Sequence, residues 1–259
     1  MKTAVVVVDI DHLKTQVLPQ VFLHPASIWE YGNLATSGAN MDQVSRLMEN
    51  GAASALAAKI AEVLSKMTDA SPEQITKEPS WFARFLGGAV EKEVRYRVAR
   101  KNLEQLLSEA EGHAQGVRDT VAAINTLIES HAQEIADLKI YIQAGKEYLT
   151  ENPAAGAIAE GSMEFDRPRE RLARKLANLA TLLASQELSV QQLKLSRAQA
   201  VDLLDRFSET TSVLLPVWRQ HTLTLITTTH MSPTMVADAS RAHQALMASL
   251  SQSLEGMKH

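Results

Sequence analysis

The chain has 259 residues, enough for one large domain or two small ones. Hydrophobic residues make up 45% and charged residues 22%, which argues against disorder, while only 5% aromatics with 11 Gly and 8 Pro argues against an all-β sandwich or propeller. With no cysteine and a formal charge of -4, the sequence excludes a disulfide scaffold, thiol catalysis, zinc–thiolate and iron–sulfur sites, and a global basic field for nucleic acid.

Residues 1–40 differ from the rest. Val5 to Ile10 is β-branched and reads as a strand or extended arm, and Pro19, Pro25, Gly32 and Gly38 punctuate the residues after it. A lone strand has nothing to pair with in a helical chain. This stretch is therefore expected to be a poorly structured N-terminal arm, loosely attached or ordered by a partner. The start of the chain has too short an apolar core for a secretory leader, and no stretch reaches the ~20 apolar residues of a spanning helix. The expected location is the cytoplasm, with peripheral contact at the inner membrane left open.

Residues 41–88 read as short helices and an aromatic plug. Asn40 to Met67 carries Val44, Leu47, Met48, Leu56, Ile60, Val63, Leu64 and Met67 at helical spacing, with Asn40 as cap. Ser71-Pro72-Glu73-Gln74 is a helix-start signal, with Ser capping and Pro in the first turn. Trp81, Phe82, Phe85 and Leu86 form a dense aromatic cluster ahead of Gly87-Gly88 and are expected to pack on helix ends.

Residues 89–259 carry the strongest pattern. Val117, Val121, Ile124, Ile128, His131, Ile135, Leu138 and Ile142 alternate four and three apart, a coiled-coil seam with one polar position, His131. The register extends back through Ala114, Ala110, Leu107 and Leu103, so one helix is expected from about Ala89 to Leu149, weakened at Gly112 and Gly116. Gly145 and then Asn152-Pro153 to Gly161 mark a turn. A second seam runs through Leu172, Leu176, Leu179, Leu183, Gln186, Val190, Leu193, Arg197, Ala200, Leu204 and Phe207. Pro216 should kink its continuation. Ser232-Pro233 opens a last helix with Val236, Ala239, Leu246, Leu250 and Leu254 on one face.

The fold expected from these elements is all-α: an elongated antiparallel helical hairpin or coiled-coil bundle with flanking helices. A short connection between two long helices forces them antiparallel. The seam can be closed within the chain or by a second copy, so a homo-oligomer is one way to close it.

Chemistry-bearing motifs are scarce. No P-loop, G-x-G-x-x-G, H-E-x-x-H or G-x-S-x-G occurs, and no two of the eight His stand at i,i+4. No catalytic, cofactor-binding or metal residue is assigned, no cofactor is expected, and the chain reads as a non-enzyme. His131 reads first as a polar seam residue that sets register, with a ligand or proton role as the alternative.

Two basic clusters, Lys92 to Lys101 and Arg167 to Lys175, read mainly as solvated helix faces. Glu91, Glu93 and Glu170 stand four before Arg95, Arg97 and Arg174. Arg100, Arg167 and Arg171 have no acid four before them and are the candidate anion-binding residues. No basic surface with interleaved aromatics suggests nucleic acid as a partner.

Leu215-Pro216-Val217-Trp218-Arg219-Gln220 resembles the aliphatic-Pro-aliphatic-Trp-basic segment of the TelA-type toxic-anion (tellurite) resistance family. Gln192-Leu193-Lys194-Leu195-Ser196-Arg197 is similar to that family's Gln-Ile-Arg-Leu-Ile-Gln run. Tyr141-Ile142-Gln143-Ala144-Gly145 is similar to its Tyr-Ile-x-Ala-Gly signature. All three occur in the family's order, within about residues 81 to 258, though Val190 stands where the family has a Pro before the Gln run. The length is closer to a short plasmid- or phage-borne paralogue of the kil type.

The resemblance implies a cytoplasmic helical protein tied to resistance against tellurite and other envelope stress. It carries no catalytic residues over. The function expected is a non-enzymatic component that acts through other proteins of a resistance or stress operon. Pro216, Trp218 and Arg219 read first as a structural kink with Trp filling the gap; in the functional reading they are the candidate partner-docking residues, since Trp and Arg are frequent interface anchors. The alternatives are direct oxyanion binding and a purely structural coiled-coil protein of a phage or plasmid. Direct reduction of tellurite would need an electron carrier that the sequence does not show.

Overall fold

The computed structural model describes residues 9–33, 38–76, 88–156, 167–227 and 233–255. Every regular element among them is helical. In chain order they are α1 (Ile10–His12), a π turn (Leu13–Val17), α2 (Leu18–Leu23), a 3-10 segment (Pro25–Glu30), α3 (Gly38–Glu49), α4 (Ala52–Asp69) and α5 (Pro72–Thr76). Next come α6 (Gly88–Glu151), α7 (Pro168–Glu209), a second π turn (Thr210–Leu214), α8 (Leu215–Thr227) and α9 (Pro233–Glu255). By internal contact the chain divides into two units, Met1–Val44 with Ala123–Arg197 and Ser45–Ala122 with Ala198–His259.

In the first unit α6 and α7 pair as an antiparallel hairpin. Asn125 meets Arg197 at 3.0 Å, whereas further along α6 Glu134 meets Gln186 at 2.7 Å and Lys139 meets Glu187 at 2.8 Å, both earlier on α7, so the two helices run in opposite directions. Ile124, Leu138 and Ile142 are buried from α6, with Leu172, Leu176 and Leu179 from α7. Each such side chain contributes about 1.5–3 kcal/mol when withdrawn from water. The expected seam is therefore present, though Val121, Ile128 and Ile135 are only half-buried and Leu127 and Glu134 share the buried face.

Gly145 does not mark the turn. It lies inside α6, where a Cβ would stand 2.5 Å from Leu176 Cδ2, so its lack of a side chain lets α7 approach closely. The chain turns after Glu151. There Arg169 donates to the carbonyls of Asn152 (3.0 Å) and Leu149 (2.6 Å), placing a cation on the open C-terminal end of α6.

The expectation of a loosely attached N-terminal stretch differs from what residues 9–33 show. They are helical from Ile10, and Leu13, Leu18, Val21, Ile28 and Tyr31 are buried in a cluster with Leu138, Ile142, Tyr148 and Leu172. Tyr31 Oη donates to the Tyr141 carbonyl at 2.8 Å, and Lys175 Nζ donates to the Trp29 carbonyl and Asn33 Oδ1. Pro25 opens the 3-10 segment, where a missing N–H costs nothing, and Pro19 follows the wide turn Leu13–Val17, which takes up its ring and missing N–H, so neither breaks these elements. Val5 to Val8 of the expected strand lie outside the described residues.

In the second unit α4 packs on the first part of α6. Leu56, Ile60, Val63 and Met67 meet Leu103, Ala110, Ala114 and Val117, together with Leu203, Phe207, Leu214 and Trp218. Gly116 is a contact point: a Cβ there would lie 2.9 Å from that of Ala52. The single helix expected from Asn40 to Met67 is instead split into α3 and α4. Gly51, in the left-handed region with φ 64, ends α3, its N–H bonding back to the Met48 carbonyl at 3.1 Å.

Ser71 caps α5 as expected, accepting from the Gln74 N–H at 3.3 Å. Helix α9 packs on α4, α5 and α8, and among its described side chains Ser240 and His243 are buried. The plug residues Trp81, Phe82, Phe85 and Leu86 lie outside the described residues, as do the side chains of Val236, Ala239, Leu246, Leu250 and Leu254.

Candidate functional site

The site is built around the junction of α7 and α8. Pro216 lacks an N–H, and its ring would crowd the Ser212 carbonyl in an ordinary helix. The chain responds with the π turn over Thr210–Leu214. The hydroxyls of Thr210, Thr211 and Ser212 donate back to the carbonyls of Arg206 and Ser208 at 2.6–2.9 Å, engaging main-chain acceptors at the widened turn. The kink expected at Pro216 is thus taken up by one wide turn.

That turn delivers Trp218 into the core of the second unit. Its side chain is 0% exposed, it stacks on Tyr96 with ring centroids 5.7 Å apart, and its N–H donates to the Ala70 carbonyl at 2.8 Å. Ala70 is the residue that ends α4, so the indole satisfies a carbonyl the helix leaves open. As a docking anchor Trp218 is therefore already occupied by its own chain. Pro216 is exposed beside it.

Arg219 turns the other way. Its Nη2 meets Glu104 Oε1 at 2.6 Å, and the same oxygen accepts from Arg100 Nε at 2.8 Å. The fold thus brings together one candidate docking residue and one candidate anion-binding residue, on a single carboxylate. The Arg100 guanidinium beside Glu104 holds that carboxyl below the usual range. Two fixed positive charges against one negative leave this partly exposed spot with a positive excess.

The remaining candidates lie in the first unit. Arg167 Nη1 meets Glu170 Oε1 at 3.2 Å, and Arg171 also has an interaction partner. The acids that engage Arg100 and Arg167 stand four and three residues after them, not four before. Of the neighbouring cations, Arg169 caps α6 and Lys175 ties down residues 29 and 33, so this basic cluster has structural work within the hairpin.

An apolar groove of about 380 Å³ opens next to the Trp218 contact. Lys66, Asp69, Ala70, Gln74 and Ile75 form one wall, and Val94, Arg95, Val98, Ala99 and Asn102 the other. Its first wall contains the Ala70 that Trp218 holds, so the indole braces the groove from behind. Val94 and Val98 are 50% and 55% exposed at the groove. The sequence carried a signal for them: they sit four apart on α6 and off the seam register.

Among the described residues no helix is long and apolar enough to cross a membrane, and no group of three or more His, Asp or Glu could hold a metal ion.

The profile of the toxic anion resistance protein (TelA) family matches residues 20–253. The chain is 59% identical over 250 residues to protein KlaA of Escherichia coli, an alignment that covers 96% of this chain and 97% of that protein. No solved structure matches it.

Proposed function

The chain belongs to the toxic anion resistance (TelA) family, and from that premise we propose that it is a non-enzymatic, partner-binding component of a tellurite or toxic-anion resistance system. The observation that carries this reading is the groove between the α4–α5 corner and α6. It exposes Val94 and Val98 to water, and the buried Trp218 braces one of its walls. Exposed apolar side chains rimmed by Lys66, Asp69 and Arg95 are the ordinary dress of a protein-binding patch. The partner is another protein of the same resistance or stress operon, met in the cytoplasm or at the inner face of the membrane.

The test is the double variant Val94→Glu with Val98→Glu. Both positions are exposed on a helix that tolerates Glu well, so folding should survive. Tellurite resistance in the native host and co-purification of the partner should both fall at unchanged melting temperature. Full resistance in that variant would remove the groove from the mechanism.

A second reading has its own observation: Arg100 and Arg219 share Glu104. An oxyanion such as tellurite would take the place of that carboxylate oxygen as the acceptor shared by both guanidinium groups. Calorimetric titration of tellurite into the protein decides it. This reading requires binding that weakens in Arg100→Ala and strengthens in Glu104→Gln, and absence of heat removes it.

A further inference from the structure

We propose that the polar layer His131–Glu134–Gln186 in the hairpin of the first unit, with His131 and Glu134 buried and Gln186 half-buried, is a binding site for a divalent transition-metal cation of the zinc class. His131 and Glu134 are 4% and 8% exposed, both on α6 and three residues apart, which puts them on one face of the helix. Gln186 reaches them from α7, its Nε2 donating to Glu134 Oε2 at 2.7 Å. Both ring nitrogens of His131 and the Oε1 of Gln186 are buried and have no hydrogen-bond partner. Three buried polar atoms in one layer of an apolar seam lack a partner, and a bound cation would supply one.

The distances fit a shared cation better than a direct bond. His131 Nδ1 lies 3.5 Å from Glu134 Oε2, long for a hydrogen bond. Two ligand atoms held tetrahedrally by zinc at ~2.0–2.1 Å would stand roughly 3.3 Å apart. A half-turn of the Gln186 amide exchanges Nε2 for Oε1 without changing its shape and offers a third, neutral oxygen. Bundle-core metal sites use a Glu followed three residues later by a His; here His131 precedes Glu134, so the same two ligand types share one inward face in the reverse order. The donors are imidazole, carboxylate and amide oxygen with no thiolate, a set that suits zinc, cobalt or manganese and not soft copper(I). Waters would complete the coordination.

The experiment is a titration of the full chain, freed of metal by a chelator, with Co²⁺, followed by its visible d–d absorption and by displacement with Zn²⁺. The expected result is one Co²⁺ per chain, displaced by Zn²⁺, with affinity reduced at least ~10-fold in His131→Gln and in Glu134→Gln. Circular dichroism checks that both variants fold. Gln186→Glu adds a charged oxygen at the third position and should tighten binding about tenfold or more, a gain that a folding defect cannot imitate. No binding by the native chain overturns the site, as does binding that survives both ligand variants or is not improved by Gln186→Glu. The layer would then be a polar contact that sets helix register.

Discussion

The indole N–H of Trp218 donates to the carbonyl oxygen of Ala70 at 2.8 Å, across 148 positions of sequence. One bond therefore joins the helix after the π turn to the end of α4, with the Tyr96 ring of α6 stacked against the same indole. Three helices meet on a single side chain, which gives the Pro-x-Trp spacing a physical reason. Pro216 forces the wide turn, and the wide turn aims Trp218 at Ala70.

Trp218→Ala should cost about 3–5 kcal/mol, the range for removing a large buried aromatic. Trp218→Phe keeps the stack and loses the bond, leaving the Ala70 carbonyl unpaired at about 1–3 kcal/mol. Urea melts of both variants check this. Resistance should fall in step with stability in each. Loss of resistance at native stability would instead return Trp218 to the role of docking anchor.

The hairpin, its seams and the start of α5 were legible because hydrophobic spacing and capping are local signals. Ile124, Leu138 and Leu176 announce themselves by repetition, and Ser71-Pro72 by chemistry. What was not legible depends on long-range partners. Pro19 and Pro25 look like breakers until Leu18 and Ile28 are seen packed with Leu138 and Tyr148. Gly145 looks like a turn until Leu176 is seen against it. Asn50-Gly51 was a legible break that the regular apolar spacing around it masked. At the site, Trp218 was legible as the filler of the Pro216 kink but its partner Ala70 was not, and Glu104 was invisible because nothing in the sequence says that Arg219 reaches it.

The seam itself makes a graded prediction. Ile124 is 1% exposed, Ile128 is half-buried, and Glu129 faces solvent. Ile124→Asp should destabilise the hairpin most, by several kcal/mol, because it buries a charge without a partner. Ile128→Asp should cost clearly less, and Glu129→Ala no more than about 0.5 kcal/mol. Chemical denaturation ranks the three, and a different order would mean the wrong face of α6 is buried.

The same substitution should have opposite signs at two glycines of α6. Nothing lies within 4 Å of a Cβ built on Gly112, so Gly112→Ala should stabilise by up to about 1 kcal/mol through helix propensity. At Gly145 the new methyl would meet Leu176 at 2.5 Å. Gly145→Ala should then lose about 1–3 kcal/mol to overpacking, less the propensity gain. Thermal melts with shifts in the same direction would show that α7 gives way more easily than the close contact implies.

His243 provides a dependence on pH. It is buried on α9, with neither ring nitrogen hydrogen-bonded, and His221 of α8 lies nearby. Burial, and then the His221 charge, push its imidazole below the ordinary value, offset in part by a contact with the Met67 main chain on α4 too loose for a hydrogen bond. A depressed histidine is neutral in the folded chain while the unfolded chain takes up a proton near pH ~6.5. Its contribution to stability is therefore complete above about that pH and is lost progressively as the pH falls toward the folded value. His243→Leu removes the titration and two unpartnered atoms while keeping an apolar filling. The variant should be at least as stable as the native chain at pH 7.5, and its urea midpoint should fall less between pH 7.5 and 5.5. Parallel declines for the two proteins would mean that His243 charges as readily in the fold as out of it.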